Sequence, residues 1–279
     1  SEGIVKVYKN INASEDLEMI TSWRGLTDML LTPKSSGLLT EWQQIRGSLL
    51  ATGDVKIIRI WDAHTETIEV DIPAKTSSLV TSITSDQLAG NVFVAGFAEG
   101  SIRVYDRRMD PRDSMLRLWR SGSGRQRTCI NNVHMQRGGY RELVSGATNG
   151  LVELWDIRYQ DPVESFRDEN MQQQGAQKRM TTMTTTQVHE HAPIVATGTK
   201  QIKIWTTSGD LLNSFKNYHN TGGVAGTLAA TGIRSTVPSS SFLSAMVFHP
   251  HRMMLAATNS HDSSINIYKC EDRRSDLYY

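Results

Sequence analysis

Cysteine is nearly absent from this sequence: Cys129 and Cys270 are the two in 279 residues. Two are too few for a disulfide scaffold or a cysteine-rich zinc module. No apolar run approaches 18 residues, which excludes a transmembrane helix. An excess of one charge is missing too. Thirty Lys and Arg against 29 Asp and Glu give a net charge of +1, so the chain as a whole does not read as a nucleic-acid binder. Proline is scarce, at seven residues. The first residues, Ser1-Glu2-Gly3-Ile4-Val5-Lys6, carry no apolar signal-peptide region, and the expectation is a cytosolic globular protein.

Catalytic patterns are equally sparse. The sequence contains no G-x-S-x-G elbow and no G-x-x-x-x-G-K-[ST] loop. Gly222-Gly223-Val224-Ala225-Gly226 is not a G-x-G-x-x-G, and no βαβ unit surrounds it. His189-Glu190-His191 could suggest a metal. However, His189 precedes Trp205 by 16 residues and His249 precedes Tyr268 by 19, so both read as turn residues of a repeat. The expectation is no enzyme, no metal and no cofactor, with both cysteines inert.

The repeat is the strongest signal present. Aliphatic, any residue, aliphatic, then Trp or Tyr recurs as Val5-Lys6-Val7-Tyr8, Ile58-Arg59-Ile60-Trp61, Ile102-Arg103-Val104-Tyr105, Val152-Glu153-Leu154-Trp155, Ile202-Lys203-Ile204-Trp205 and Ile265-Asn266-Ile267-Tyr268. The aromatics are 53, 44, 50, 50 and 63 residues apart. Apolar alternating with polar is the period of a strand with one buried face. A small-residue apolar strand precedes five of the copies, as in Val92-Phe93-Val94-Ala95-Gly96 and Ile194-Val195-Ala196-Thr197-Gly198. Turns containing Glu99-Gly100, Asn149-Gly150 and Asp262-Ser263 join the two and suit positive φ. An earlier strand (Ser78 to Ile83, Phe242 to Phe248) and a later one (Thr67 to Val70, Leu211 to Phe215) complete a unit of four.

Four short antiparallel strands every 40–45 residues or so are the mark of an all-β, WD-repeat β-propeller. Trp-Asp or Tyr-Asp survives in three copies, and Gly-His occurs nowhere. Cohesion between blades is therefore expected to rest more on apolar packing. The first copy begins at Ile4, so residues 1–279 are expected to hold five nearly whole blades and the outer half of a sixth, about five and a half in all, as the C-terminal part of a longer protein.

Three segments exceed the needs of a blade and are read as inserted loops: 110–131, 167–180 and 217–241. The first lies in the one local excess of positive charge, ten arginines against three aspartates over residues 103–141. Arg112, Arg117, Arg120, Arg125 and Arg127, with Trp119 as an aromatic anchor, read as a docking site for an acidic or phosphorylated partner. The same residues read equally as solvated outer strands with arginine stems lying over apolar surface. The second segment is Gln-rich and the third rich in Gly, Ser and Thr; both read as flexible loops.

Several stretches go beyond a generic blade. Gly100-Ser101-Ile102-Arg103-Val104-Tyr105-Asp106-Arg107-Arg108-Met109 resembles the Raptor family. So do Gly53 to Asp62, Thr21-Ser22-Trp23-Arg24-Gly25-Leu26-Thr27-Asp28-Met29-Leu30 with Trp42 downstream, and Phe248-His249-Pro250-His251. The resemblance spans nearly the whole chain, and the two longer insertions suggest a fungal-type member. It implies a seven-bladed propeller at the end of the protein, following a caspase-like region and a helical solenoid. It also implies a non-catalytic scaffold that partners TOR kinase and its complex, with TOR substrates and GTPase regulators engaged through the full-length protein. The implied location is the cytoplasm, with recruitment to the lysosomal or vacuolar membrane through partners. The alternative is a WD-repeat peptide-binding adaptor of a chromatin or ubiquitin-pathway complex. A further enzyme rival would need a carboxylate or histidine with a perturbed pKa in the central channel.

Overall fold

The computed structural model describes residues 3–9, 17–27, 37–122, 128–136, 142–168, 183–199, 201–216, 243–259 and 265–270, all in strands, turns and bends. The chain divides into two compact units, 1–147 with 151–164, and 148–150 with 165–279. In the first unit, β1 (Ile4–Lys9) pairs with β2 (Glu18–Arg24) as a two-stranded sheet. Next come β3 (Leu39–Gln43), β4 (Ser48–Thr52), β5 (Ile57–Asp62) and β6 (Thr67–Pro73), then β7 (Val80–Ser85), β8 (Val92–Phe97), β9 (Ser101–Asp106) and β10 (Met115–Arg120). Each four form an antiparallel sheet in sequence order. The third sheet runs β11 (Ile130–Met135), β12 (Glu142–Ala147), β13 (Leu151–Asp156), β14 (Glu164–Arg167), and the division into units falls within β14. In the second unit, β15 (Thr185–Val188), β16 (Ile194–Gly198), β17 (Gln201–Thr206) and β18 (Leu211–Lys216) form a four-stranded sheet. A three-stranded sheet, β19 (Leu243–Phe248), β20 (Met254–Asn259) and β21 (Ile265–Lys269), follows it.

These are WD-repeat blades: half of one, four complete, and three strands of another among the described residues. The recurring aromatic is the penultimate residue of the third strand of its blade, and the small-residue run is the second strand. Gly100 and Gly150 turn between them at φ of 85° and 82°, the left-handed region that glycine enters freely. The small residues are explained by the next blade. A Cβ on Gly96 would lie 2.6 Å from Ile130 Cγ2, and one on Gly198 would lie 2.9 Å from Leu243 Cδ1. Both neighbours sit on the innermost strand of the following blade, which could approach no closer over a larger side chain.

Apolar packing does join the blades, as expected. Leu50, Ile58, Ile60 and Ile72 meet Phe93, Phe97 and Tyr105 in one cluster. Val94, Val104 and Trp119 meet Ile130, Leu143 and Trp155 in the next. Burial among these side chains pushes the Tyr105 phenol up to about 12. Polar ties share the work. On the inner strands the Ser82 hydroxyl donates to Asn132 Oδ1 and accepts from the Val133 N–H, at 3.1 and 3.0 Å.

In three blades the polar residue inside the third strand makes a second tie, to the residues just beyond the fourth strand of the blade before. Arg103 Nη1 donates to the Ala74 carbonyl at 2.6 Å. Glu153 accepts from the Ser121 hydroxyl at 2.6 Å and the Gly122 N–H at 3.2 Å. Lys203 pairs with Asp168, and both side chains are buried. Removing one member of such a pair strands a charge away from water. Asp168→Ala should therefore cost about 3–5 kcal/mol in denaturant unfolding. Adding Lys203→Met should recover most of that loss; an Asp168→Ala variant as stable as wild type would show that the pair carries no weight.

Candidate interaction surface

The arginine-rich interval is not an inserted loop throughout. Residues 115–120 are β10, the fourth strand of a regular blade, paired along β9 from Met115 opposite Tyr105 to Arg120 opposite Ser101. The strand alternates: Leu116, Leu118 and Arg120 face solvent, while Arg117 and Trp119 turn inward. Trp119 is 1% exposed. Its ring stacks on Trp155 at 5.0 Å and 21°, and its Nε1 donates to the Tyr159 carbonyl at 3.2 Å. Trp119 is thus a core residue and not an exposed anchor, because the inward phase of the strand delivers it to the neighbouring blade.

The remaining predicted residues are not brought together. Arg112 lies on the turn before β10, where its N–H donates to Asp110 Oδ1 at 2.9 Å. Arg120 lies at the far end of the strand; the five residue steps from Met115 span roughly 17 Å. Arg117 Nη2 donates to the Arg158 carbonyl at 3.2 Å. Arg125 and Arg127 fall outside the described residues, as do 169–180 of the second expected loop and all of 217–241.

Two other arginines, Arg108 within the basic interval and Arg158 outside it, are held at the surface by aspartates. Asp106 holds Arg108 by two points, Nε to Oδ1 at 2.9 Å and Nη2 to Oδ2 at 2.6 Å. Asp156 holds Arg158 the same way in the next blade. The Arg108 side chain beside it keeps the Asp106 carboxyl below its ordinary range, and the pairing raises Arg108 in turn. Each aspartate also accepts the N–H of its arginine, at 3.0 and 2.9 Å, closing the turn after the third strand. The available signal was an Arg two residues after the Asp, in Tyr105-Asp106-Arg107-Arg108 and Trp155-Asp156-Ile157-Arg158. Arg158 also sits over the Tyr159 ring at 5.5 Å, and Tyr159 is 57% exposed. Because Trp119 and Arg117 bond the carbonyls of Tyr159 and Arg158, this turn is clamped to β10. The 107–112 and 157–160 turns therefore present Arg108, Met109, Arg112, Arg158 and Tyr159 outward, a mixture of the types enriched at protein interfaces.

Nothing in this arrangement is a nucleophile paired with a base. Where a carboxylate shift is resolved, at Asp62, Glu99 and Asp106, it is downward. His189 and His249 are turn residues, as their recurrence indicates. The Nδ1 of His189 accepts from the N–H groups of His191 and Ala192, and that of His249 from His251 and Arg252, at 3.1–3.2 Å. Cys129 is half-buried, and burial pushes its thiol up. Among the described residues no three His, Cys, Asp or Glu converge as a metal site, and no helix is long and apolar enough to cross a membrane.

Trp119→Ala should cost about 3–5 kcal/mol in denaturant unfolding, as expected for a buried aromatic. Arg120→Glu on the same strand should stay within about 0.5 kcal/mol of wild type. Equal losses from the two would contradict the inward and outward assignment of β10.

A family model described as the middle region of ciliary BBSome complex subunit 2 matches residues 40–155, less than half of the chain. Target of rapamycin complex 1 subunit KOG1 of Saccharomyces cerevisiae is 71% identical over 100% of this chain and 18% of its own length. Target of rapamycin complex 1 subunit mip1 of Schizosaccharomyces pombe is 38% identical over 97% of this chain and 19% of its own length. In the crystal structure of Chaetomium thermophilum Raptor, the matching region has a TM-score of 0.78 at 36% identity, covering 98% of this chain and 22% of that one. The chain thus spans about a fifth of the length of these curated relatives. In sequence and in fold, over nearly its whole length, the chain is similar to part of these fungal Raptor-type proteins.

Proposed function

We propose that this propeller segment is a non-catalytic scaffold element of a TOR complex 1 subunit. It contributes rigid protein-binding rims to the assembly of TOR kinase with its other subunits. Through the full-length protein it supports recruitment of TOR substrates and of GTPase regulators. It works in the cytoplasm and reaches the vacuolar or lysosomal surface through partners. The observation that carries this reading is 71% identity, along the whole chain, to a target of rapamycin complex 1 subunit. The balanced charge of the chain supports partners that are proteins rather than nucleic acids.

The surface proposed for those partners is the pair of turns carrying Arg108, Arg112, Arg158 and Tyr159, with Arg120, Arg125 and Arg127 as further candidate contacts. Guanidinium groups held flat by aspartates keep donors directed outward, which suits acidic or phosphorylated segments. Tyr159 replaces Trp119 as the aromatic anchor.

The test is to tag the parent protein in its own cells and identify what co-purifies. TOR kinase should be recovered in near-stoichiometric amount. Recovery of a different complex without TOR kinase would overturn the scaffold reading. Arg112→Glu with Tyr159→Ala should reduce one or more partners at least about ten-fold, the loss expected from removing an interface anchor, while the melting temperature holds. Unchanged partners would remove this surface from the proposal.

A further inference from the structure

The residue two places after the aromatic of each third strand has a constant position and a variable side chain. The N–H groups of Ala63, Arg107, Thr207 and Cys270 donate to the carbonyls of Gly47, Asn91, Pro193 and Met253, each just ahead of its blade's second strand, at 2.9–3.2 Å. Where the side chain at this position is large, it fills the notch between its own blade and the one before. Arg107 fills that notch with hydrogen bonds to Gln43, Ser48 and Glu69 of the preceding blade. Ile157 fills the equivalent notch by packing against the Trp119–Trp155 cluster.

Cys270 is too small to fill its own. A cleft of about 390 Å³ opens there, floored by Ile204 and Phe215 of one blade and by Phe248, Leu255 and Tyr268 of the next. Leu212 and Met253 stand at its mouth, 57% and 45% exposed. Among the described residues of the lining, Lys269 is the only charged one.

We propose that this cleft is a docking site for a short segment of a partner protein that carries an apolar side chain next to a carboxylate. The apolar side chain takes the place that Ile157 occupies one interface earlier, and the carboxylate meets Lys269. The burial of apolar surface supplies affinity, and the lone cation selects the sign of the flanking charge. The inference rests on the scaffold reading, since it supplies a partner with somewhere to bind.

The test uses the full-length parent protein in its own cells, with photoreactive benzoylphenylalanine at Leu212 and, as a control, at Leu116 of β10. Cross-linked peptides are then sequenced. Leu212 should capture a partner segment with an apolar residue within two positions of a carboxylate. Cys270→Ile, which plugs the notch, and Lys269→Glu, which reverses its charge, should each lower the yield at least about ten-fold. The melting temperature of both variants should hold. Three results would overturn the proposal: a yield no higher than at Leu116, a yield unchanged by Cys270→Ile, or capture only of the chain's own residues 271–279. TOR kinase recovery is scored in the same samples. Its absence from the wild-type sample would count against the scaffold reading, whereas its presence without Leu212-specific capture would count against the cleft alone.

Discussion

The structure depends on one contact repeated from blade to blade. The penultimate residue of each fourth strand lies against the penultimate aromatic of the third strand of the following blade. Trp23 meets Trp61 with ring centroids 6.0 Å apart, Trp119 meets Trp155 at 5.0 Å, Phe166 meets Trp205 at 5.3 Å and Phe215 meets Tyr268 at 4.7 Å. Between the second and third blades Ile72 packs in the same cluster as Tyr105, the one place where the pair is not doubly aromatic. Aromatic pairs of this kind add about 0.5–1.5 kcal/mol beyond the area they bury. A four-stranded sheet cannot cover its own face, so its stability is borrowed from this contact with its neighbour. The small residues of the second strands follow from it, since two sheets held this tightly leave no room for a Cβ at Gly96 or Gly198.

A contact that is alike at every interface does not say which blade belongs beside which. The polar residue inside the third strand does. Arg103 needs a carbonyl at Ala74, Glu153 needs the donors at Ser121 and Gly122, and Lys203 needs the carboxylate of Asp168. Exchanging neighbours would set Glu153 against a carbonyl or Lys203 against donors, leaving a buried charge without a partner. Such a mismatch costs several kcal/mol, more than any single aromatic contact returns. Apolar stacking therefore supplies cohesion, and the alternating chemistry of the ties supplies order.

This division explains what could be read from the sequence. Third strands were plain because their alternation ends in an aromatic, and second strands because their residues are small. The WD-repeat fold followed from those two. Fourth strands were harder to see. β10 exposes Leu116 and Leu118 and buries Trp119 beside two arginines, so its composition resembles a charged insertion more than a strand. The partner that gives Trp119 its meaning is Trp155, 36 residues away, and no local pattern reports such a pairing. Trp23-Arg24-Gly25 stands out as a family signature and also has a structural duty: Trp23 packs at a tilt against Trp61, and the Gly25 carbonyl accepts the Trp61 Nε1–H at 3.1 Å.

The turns obey a looser rule, and that is why function belongs there. Their backbone is held by one acceptor near the end of the preceding strand, whose chemistry is free to vary. Asp86 caps one such turn by accepting from Leu88 and Ala89, while His189 and His249 cap the equivalent turns through Nδ1. Asp62, Asp106 and Asp156 do the same after the third strands. Once the cap is in place, the next side chains carry no structural duty that a different residue could not meet. Ala63, Arg107, Thr207 and Cys270 share one backbone position with four chemistries. The inward residues of the strands are constrained by the neighbouring blade, whereas at these positions the shared constraint is one backbone hydrogen bond. Variation that would disrupt an interface within the strands is absorbed on the rims, where each blade can present a different surface to a partner.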